Sequence, residues 1–261
     1  MSNLLNLDGR VALVTGAGQG VGAEIARHLA SSGATVVVND FYADRAEKVA
    51  SELASTGASA VGVGADVSDY DDVRRMFQTS EELFGRVDIL VNNAGNAGPS
   101  ESIVETVPFW ETSPEDWDRW MRVNYYGVLN STRLALPGMV ERRYGRIVTI
   151  VSDAGRVGEP NFVVYAGAKA GATGVMRSVA KAVGRYEITA NSIALASTET
   201  PTTAPALADE AVRKAMLSHY VVRRLGQPTD AAALALFLAS DAASWITGQT
   251  YPVNGGYSFS L

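Results

Sequence analysis

Ser152, Tyr165 and Lys169 are of types, and at a spacing, that suit proton chemistry on an oxygen. Tyr165 and Lys169 are four apart, so on a helix they share one face and their side chains meet. An ammonium beside a phenol favours the phenolate. At about 5 Å and an effective dielectric of ~20 the attraction is roughly 3 kcal/mol, or about two pKa units, which would bring a tyrosine from ~10 towards ~8, where a general acid or base works best. Ser152 stands thirteen positions before Tyr165, after the apolar run 147–151, and would hold a substrate oxygen next to the phenol. A Tyr/Lys pair at this spacing also arises by chance on surfaces, so the elements that position it decide between the two readings.

Those elements alternate. Val11–Val14 is a continuous apolar run, as expected of a strand buried on both faces. Thr15-Gly16-Ala17-Gly18-Gln19-Gly20-Val21-Gly22 follows at once, then a helix over 23–32 ended by Gly33, then a strand over 36–38 ending at Asn39-Asp40. Glycines let the backbone turn tightly and approach a diphosphate seated on the N–H groups at a helix start. An acidic residue ~20 positions on takes ribose hydroxyls, and Asp40 stands there, followed by Phe41. A carboxylate accepts from a 2′-hydroxyl and repels a 2′-phosphate, and the glycine turn holds no Lys or Arg, so NAD is expected rather than NADP. The competing reading of Asp40 is a cap for the next helix.

Beyond this unit, helices are expected over 43–55, 70–84, 114–141, 161–184 and 231–239, and strands over 60–63, 87–91, 147–151, 188–193 and 248–253. Strand and helix in alternation mean a parallel sheet covered on both faces, whose ligands bind outside the carboxyl ends of the strands. Gly16, Asp40, Asp66, Asn92 and Ser152 all fall at such ends and should rim one crevice. With no linker, repeat or low-complexity tract in its 261 residues, the chain reads as one domain.

A formal net charge of −6 argues against a nucleic-acid or anionic-membrane surface. The absence of cysteine excludes disulfides and thiol chemistry, and with two histidines makes a zinc site unexpected. Residues 1–10 lack a basic stretch followed by an apolar one, and the most apolar window, 231–239, is too short to span a bilayer, so a cytoplasmic location is expected.

In Thr15-Gly16-x-x-x-Gly20-x-Gly22, Asp66-Val67, Asn92-Asn93-Ala94-Gly95, Asn124, Ser152 and Tyr165-x-x-x-Lys169, in this order and spacing, the chain resembles a classical short-chain dehydrogenase/reductase over nearly its whole length. The resemblance implies an α/β fold, a single-domain Rossmann-like doubly wound parallel sheet over 1–261, with cofactor binding in about 8–160 and a substrate-covering loop and helix in about 197–226. It implies Tyr165 as acid/base, Lys169 lowering its pKa and holding the nicotinamide ribose, Ser152 on the substrate oxygen and Asn124 supporting a proton-relay water. It places Gly16, Gln19, Gly20, Val21 and Gly22 on the cofactor, with Asp40 and Phe41, and Asp66 with Val67 at the adenine. Asn93, with Ala94 and Gly95, would seat the adenine ribose; Thr198 and Thr200 would meet the carboxamide. A homotetramer is implied as well, with the helices bearing Trp117 and Tyr165 and the tail 251–261 at its interfaces. Asn92 reads as structural, and Trp117 and Trp120 as core or interface.

The chain departs from the family where Leu195-Ala196 replace the usual Pro-Gly, which puts that loop's path in question. The segment 96–113, rich in Pro and aromatics, would form part of the substrate wall. Few fixed polar groups in 197–226 disfavour a sugar. The stretch 152–158 is similar to that of relatives acting on alicyclic or hydroxyacyl-CoA substrates; Arg156 and Arg223-Arg224 would meet CoA phosphates, or else form ordinary ion pairs. An NAD(H)-dependent oxidoreductase of a secondary alcohol or ketone is therefore expected. The alternatives are an NADPH-dependent 3-oxoacyl thioester reductase and a catalytically silent dinucleotide-binding protein.

Overall fold

The computed structural model describes residues 3–95, 108–201, 203–204 and 208–259. Seven strands, β1 (Val11–Val14), β2 (Thr35–Asp40), β3 (Ala60–Gly64), β4 (Ile89–Asn92), β5 (Gly145–Ser152), β6 (Ile188–Leu195) and β7 (Thr250–Val253), form one sheet in the order β3-β2-β1-β4-β5-β6-β7. Every pairing is parallel. The order reverses between β1 and β4, and at such a point the connections leave to opposite faces and open a crevice at the strands' carboxyl ends.

Helices cover both faces because the strands are apolar on both. Ala12 and Val14 point into a core with α1 (Gly20–Ser31), α2 (Ala43–Ser55) and the last long helix, α9 (Pro228–Ala239). Val11 and Leu13 point into the opposite core, with α3 (Tyr70–Phe84), α5 (Gly127–Arg142) and α7 (Val163–Val183). Helix ends carry local signals. Asp69 caps α3 through Asp71 N and Asp72 N, and Gly85 closes it in the left-handed region. Ser113 and Asp116 form a capping box on α4 (Pro114–Met121), with Pro114 in its first turn. The shorter helices are α6 (Ala154–Val157) and α8 (Glu210–Leu217).

The uninterrupted helix expected over 114–141 is instead α4 and α5 joined by a π-helical turn, Arg122–Tyr126. A π-turn breaks the i to i−4 ladder, and the Trp120 carbonyl accepts from the Asn124 side chain, 2.9 Å away. Helix α1 begins at Gly20, three residues earlier than expected, so the last glycines of the turn belong to its first turn. No helix among the described residues is long and apolar enough to cross a membrane.

Residues 96–107 of the expected substrate wall lie outside the described residues, as do residues 202 and 205–207 of the expected covering segment and 260–261 of the tail. The part of the wall that is described holds a 3-10 turn, Phe109–Glu111, with Phe109 stacked on Trp117 at 5.9 Å. At Leu195-Ala196 the chain does not leave the sheet early. Leu195 is still paired, to Ser152 and Val253, and its carbonyl accepts from Asp153 N at 2.9 Å.

Candidate active site

One cleft of about 1140 Å³ runs along the carboxyl ends of the strands. Gly16, Gln19, Gly20, Val21, Gly22, Asp40, Phe41, Asp66, Val67, Asn93, Ala94, Gly95, Ser152, Tyr165, Lys169, Thr198 and Thr200 all line it. Asn124 stands behind, fully buried.

At one end is the glycine turn. The Gln19 side chain makes no cap bond to α1 and no acidic residue stands in the first helical turn, so the positive end of the helix dipole is left to an anion. Asn93 braces this turn: its Nδ2 donates to the carbonyls of Thr15 and Gly16, both at 2.9 Å. Both amide hydrogens are thus used to shape the turn, while Asn93 also lines the cleft where the ribose was expected. A Cβ on Gly22 would lie 2.4 Å from Asn93 Nδ2 and from the Gly16 carbonyl oxygen. Gly22→Ala is therefore expected to destabilise the fold by about 1–3 kcal/mol and to weaken dinucleotide binding at least about tenfold. Thermal melting and fluorescence titration with NADH check this.

The Asp40 carboxylate is buried at the end of β2. Oδ2 accepts from Gly18 N at 3.0 Å and Oδ1 from Tyr42 N at 3.1 Å, while Tyr42 is the N-cap of α2. Asp40 therefore ties the glycine turn to the start of α2 and does not itself cap the helix. Gly18 and Arg45 were not among the expected site residues, yet a Cβ on Gly18 would stand 2.6 Å from both Asp40 Oδ2 and Arg45 Cβ. Arg45, from the first turn of α2, lines the cleft with its guanidinium 4.4 Å from the Tyr42 ring centroid. Asp66 accepts from Ser68 N at 2.8 Å in a local turn, and Asp69, not Asp66, caps α3. Asn92 is structural as expected, donating to the hydroxyls of Thr132 and Thr149.

At the other end, β5 delivers Ser152 and α7 delivers Tyr165 and Lys169. The Ser152 and Tyr165 hydroxyls are hydrogen-bonded. Lys169 Nζ donates to the Ile150 carbonyl at 3.0 Å and lies 5.8 Å from the Tyr165 ring centroid. The downward shift of Tyr165 expected from the lysine is not what the structure has. Burial holds the phenol above its usual pKa, the bond to Ser152 opposing this only in part. Burial also lowers Lys169 to about 8. Attraction at a distance was expected to dominate, but removing both groups from water costs more. Gly95 lets these groups converge: a Cβ there would lie 3.1 Å from Lys169 Nζ and 3.2 Å from Asn124 Oδ1.

Trp120, expected in the core or at an interface, is a buried wall of the cleft. Its ring meets Tyr165 edge-on at 5.6 Å and Phe162 at 6.4 Å. Met216 and His219, from the covering segment expected over 197–226, also line the cleft, as do Glu159 and Tyr257, which were not among the expected site residues. Thr198 hydrogen-bonds within its loop, its hydroxyl to the Ala196 carbonyl, and the Thr200 methyl faces Gly20, within 3.4 Å of a Cβ built there. Of the three arginines offered to a CoA, two form ion pairs, as the alternative reading had it, and the third is held by backbone carbonyls. Arg156 pairs with Asp153, Arg224 binds Asp230 through two bonds, and Arg223 donates to the carbonyls of Leu217 and Ser218.

A parallel sheet with a glycine turn, an acidic second strand end and a Ser–Tyr–Lys group on one crevice defines the class: an oxidoreductase on a dinucleotide-binding fold. A family model described as enoyl-(acyl carrier protein) reductase matches residues 16–258. The 7α-hydroxysteroid dehydrogenase of Escherichia coli K12 is 38% identical over 98% of this chain and 96% of its own. The 3-oxoacyl-[acyl-carrier-protein] reductase FabG of Staphylococcus aureus Mu50 is 38% identical over 94% and 96%. Among solved structures, 7α-hydroxysteroid dehydrogenase complexed with NADH and 7-oxo glycochenodeoxycholic acid superposes with a TM-score of 0.90 at 37% identity, covering 98% of both chains. A Burkholderia cenocepacia gluconate 5-dehydrogenase in complex with NADP and tartrate does so with a TM-score of 0.91 at 32% identity, covering 99% and 98%. The chain belongs to the short-chain dehydrogenase/reductase family, oxidoreductases acting on CH–OH groups.

Proposed function

We propose that the chain is an NAD(H)-dependent dehydrogenase/reductase that interconverts a secondary alcohol and its ketone, on a largely apolar ring substrate. The observation that carries this is the half-buried Ser152 and Tyr165 with the buried Lys169, opening on the same cleft as the glycine turn and Asp40. The site fits the dinucleotide. The α1 N-terminus and the turn, with Gly16, Gln19, Gly20, Val21 and Gly22, would hold the diphosphate, and Asp40 with Phe41 the adenosine ribose. Asp66, Val67 and Ala94 would flank the adenine side, and Thr198 and Thr200 the carboxamide. When bound, the nicotinamide supplies hydride exchange.

The chain's own residues do the rest. Ser152 holds the substrate oxygen, and Tyr165 gives a proton to it in reduction or takes one from it in oxidation. The Lys169 ammonium stabilises negative charge as it develops on that oxygen, and Asn124 fixes the neighbouring backbone. Trp120 and Phe162 exclude water around the phenol. These rings, and the pairing of Arg156 and Arg224 with carboxylates, favour an apolar ring alcohol over a CoA thioester.

A screen with NAD and NADP separately, on alicyclic alcohols, steroids and hydroxyacyl thioesters, tests this through the absorbance of reduced nicotinamide. Turnover with NAD supports the reading. Tight NADH binding without turnover on the whole panel would instead support a silent binder.

Arg45 favours the second reading, an NADPH-dependent 3-oxoacyl thioester reductase, because its guanidinium could face a 2′-phosphate beside Asp40. Asp40→Ala separates the two. Loss of charge-assisted bonds is worth about 1.5–3 kcal/mol, so the NADH Kd should rise about tenfold or more while the NADPH Kd falls. Equal weakening of both would mean that Asp40 only braces the turn. The chain is further proposed to be cytoplasmic and a homotetramer, which would cover Trp245 and Phe259, 98% and 74% exposed; light scattering reads the mass.

A further inference from the structure

The residue after Ser152 is a carboxylate that the reaction does not use. Asp153 is 2% exposed, in the turn that ends β5, and all its ties run outward. Its Oδ1 accepts from Arg156 Nη1, and its Oδ2 accepts from Asn254 Nδ2 at 2.6 Å and from Ser258 Oγ at 3.0 Å. Arg156 Nη1 also donates to Ser258 Oγ at 2.9 Å, and Asn254 Nδ2 to the Ser258 carbonyl at 2.9 Å. A buried carboxylate is tolerated only when it is paired and fully hydrogen-bonded. Here two of the three partners, Asn254 and Ser258, are drawn from a segment about a hundred residues further on, which leaves β7 and doubles back over the end of β5.

The same segment reaches the covering loop. Val222 N donates to the Gly255 carbonyl at 2.8 Å. The Tyr257 ring lies 5.6 Å from that of Tyr220 and 6.5 Å from that of His219. The Tyr220 hydroxyl in turn accepts from Ser197 N at 3.0 Å, beside the end of β6. Tyr257 lines the cleft at the end that holds Ser152 and Tyr165.

We propose that the segment 254–259 is a wall of the substrate half of the cleft, that Tyr257 is its specificity-determining residue, and that Asp153 is the positioning residue that locks this wall to the Ser152 turn. Substrates long enough to reach from Ser152 to Tyr257, fused or substituted rings, are selected by this wall; short secondary alcohols are not.

The lock is tested without any substrate, by hydrogen–deuterium exchange on the full chain. In Asp153→Asn and in Asn254→Ala, exchange should rise at least tenfold in peptides covering 152–157 and 220–223. The double exchange Asp153→Asn with Asn254→Asp puts the carboxylate on the other side of the same contact and should restore protection to within threefold. Unchanged exchange in both single variants would overturn the lock. The wall, whose test rests on the oxidoreductase reading, is tested with Tyr257→Ala. KM for a ring alcohol should rise about tenfold while kcat, the NADH Kd and KM for 2-butanol stay within twofold. An unchanged KM for the ring alcohol, or an equal rise for both alcohols, would overturn it. If the wild-type protein turns over no alcohol, the oxidoreductase reading fails, while the exchange experiment still decides the lock.

Discussion

Tyr165→Phe is expected to lower kcat by about a thousandfold, within the range that a positioned general acid or base contributes, and to leave the NADH Kd within a factor of about three. The substitution removes one oxygen and keeps the ring, so the edge-on contacts with Trp120 and Phe162 at 5.6 and 6.2 Å survive. What is lost is the bond to Ser152 and the transferable proton. The pH dependence has a definite sign. Burial raises the phenol above its ordinary value, so at neutral pH it is protonated and poised to give a proton. Ketone reduction should therefore be flat through neutrality, and alcohol oxidation should climb into the alkaline range. Both features should vanish in the variant. Residual activity within tenfold of wild type would remove Tyr165 from the chemistry.

Lys169→Met should abolish most activity, by about a hundredfold or more, and make the protein more stable. The ammonium is buried and its pKa is lowered to about 8 by burial, from an ordinary 10.5. Below pH 8 the folded chain carries the full cost of keeping that charge out of water. Between pH 8 and 10.5 the unfolded chain binds the proton and the folded chain does not, so stability from this group rises with pH. A methionine fills similar space and carries no charge. At pH 7 a gain of roughly 1–3 kcal/mol should raise Tm by several degrees, with the gap between variant and wild type closing as pH approaches 10. A variant that melts lower than wild type at pH 7 would show that the bond to the Ile150 carbonyl outweighs the buried charge. Stability given up at a buried functional group is a common pattern in enzymes.

The glycine turn, Asp40 and the Ser–Tyr–Lys group were legible because each follows a strong local signal: an apolar run read as a strand, and its carboxyl end read as a place for ligands. The doubly wound arrangement was implied by the resemblance alone, and the strand order came only with the structure. Strand ends also brought Asp66 and Asn92 to one edge, although what Asn93 does there depends on which carbonyls fall within 3 Å of its amide. Trp120 is buried as the core reading had it, but a helical pattern continued through Arg122–Tyr126 hides the π-turn and gave no sign that the ring also walls the cleft. Arg45 shows on α2 as an ordinary helical charge; only the packing of α2 against the glycine turn brings it to Asp40. Glu159, His219 and Tyr257 come from short helices and turns with no period to read, so their meeting is a tertiary fact. The pKa error at Tyr165 has the same origin: spacing gives the distance to a partner, whereas burial depends on everything packed around both.

The π-turn also governs which changes of chain length the site can survive. An α-helix advances about 100° per residue, and a π-turn is an α-helix carrying one residue too many. The widened turn absorbs that residue, so α4 and α5 keep nearly the phase that one unbroken helix would give them. Deleting a single residue between 122 and 126 would close the ladder into regular α-helix with little rotation of α4. Inserting one there would have no such turn to absorb it and would swing α4 by about 100° about its axis, carrying Trp120 away from Tyr165 although no residue in contact with either had been replaced. The stretch should therefore survive the loss of one residue better than the gain of one.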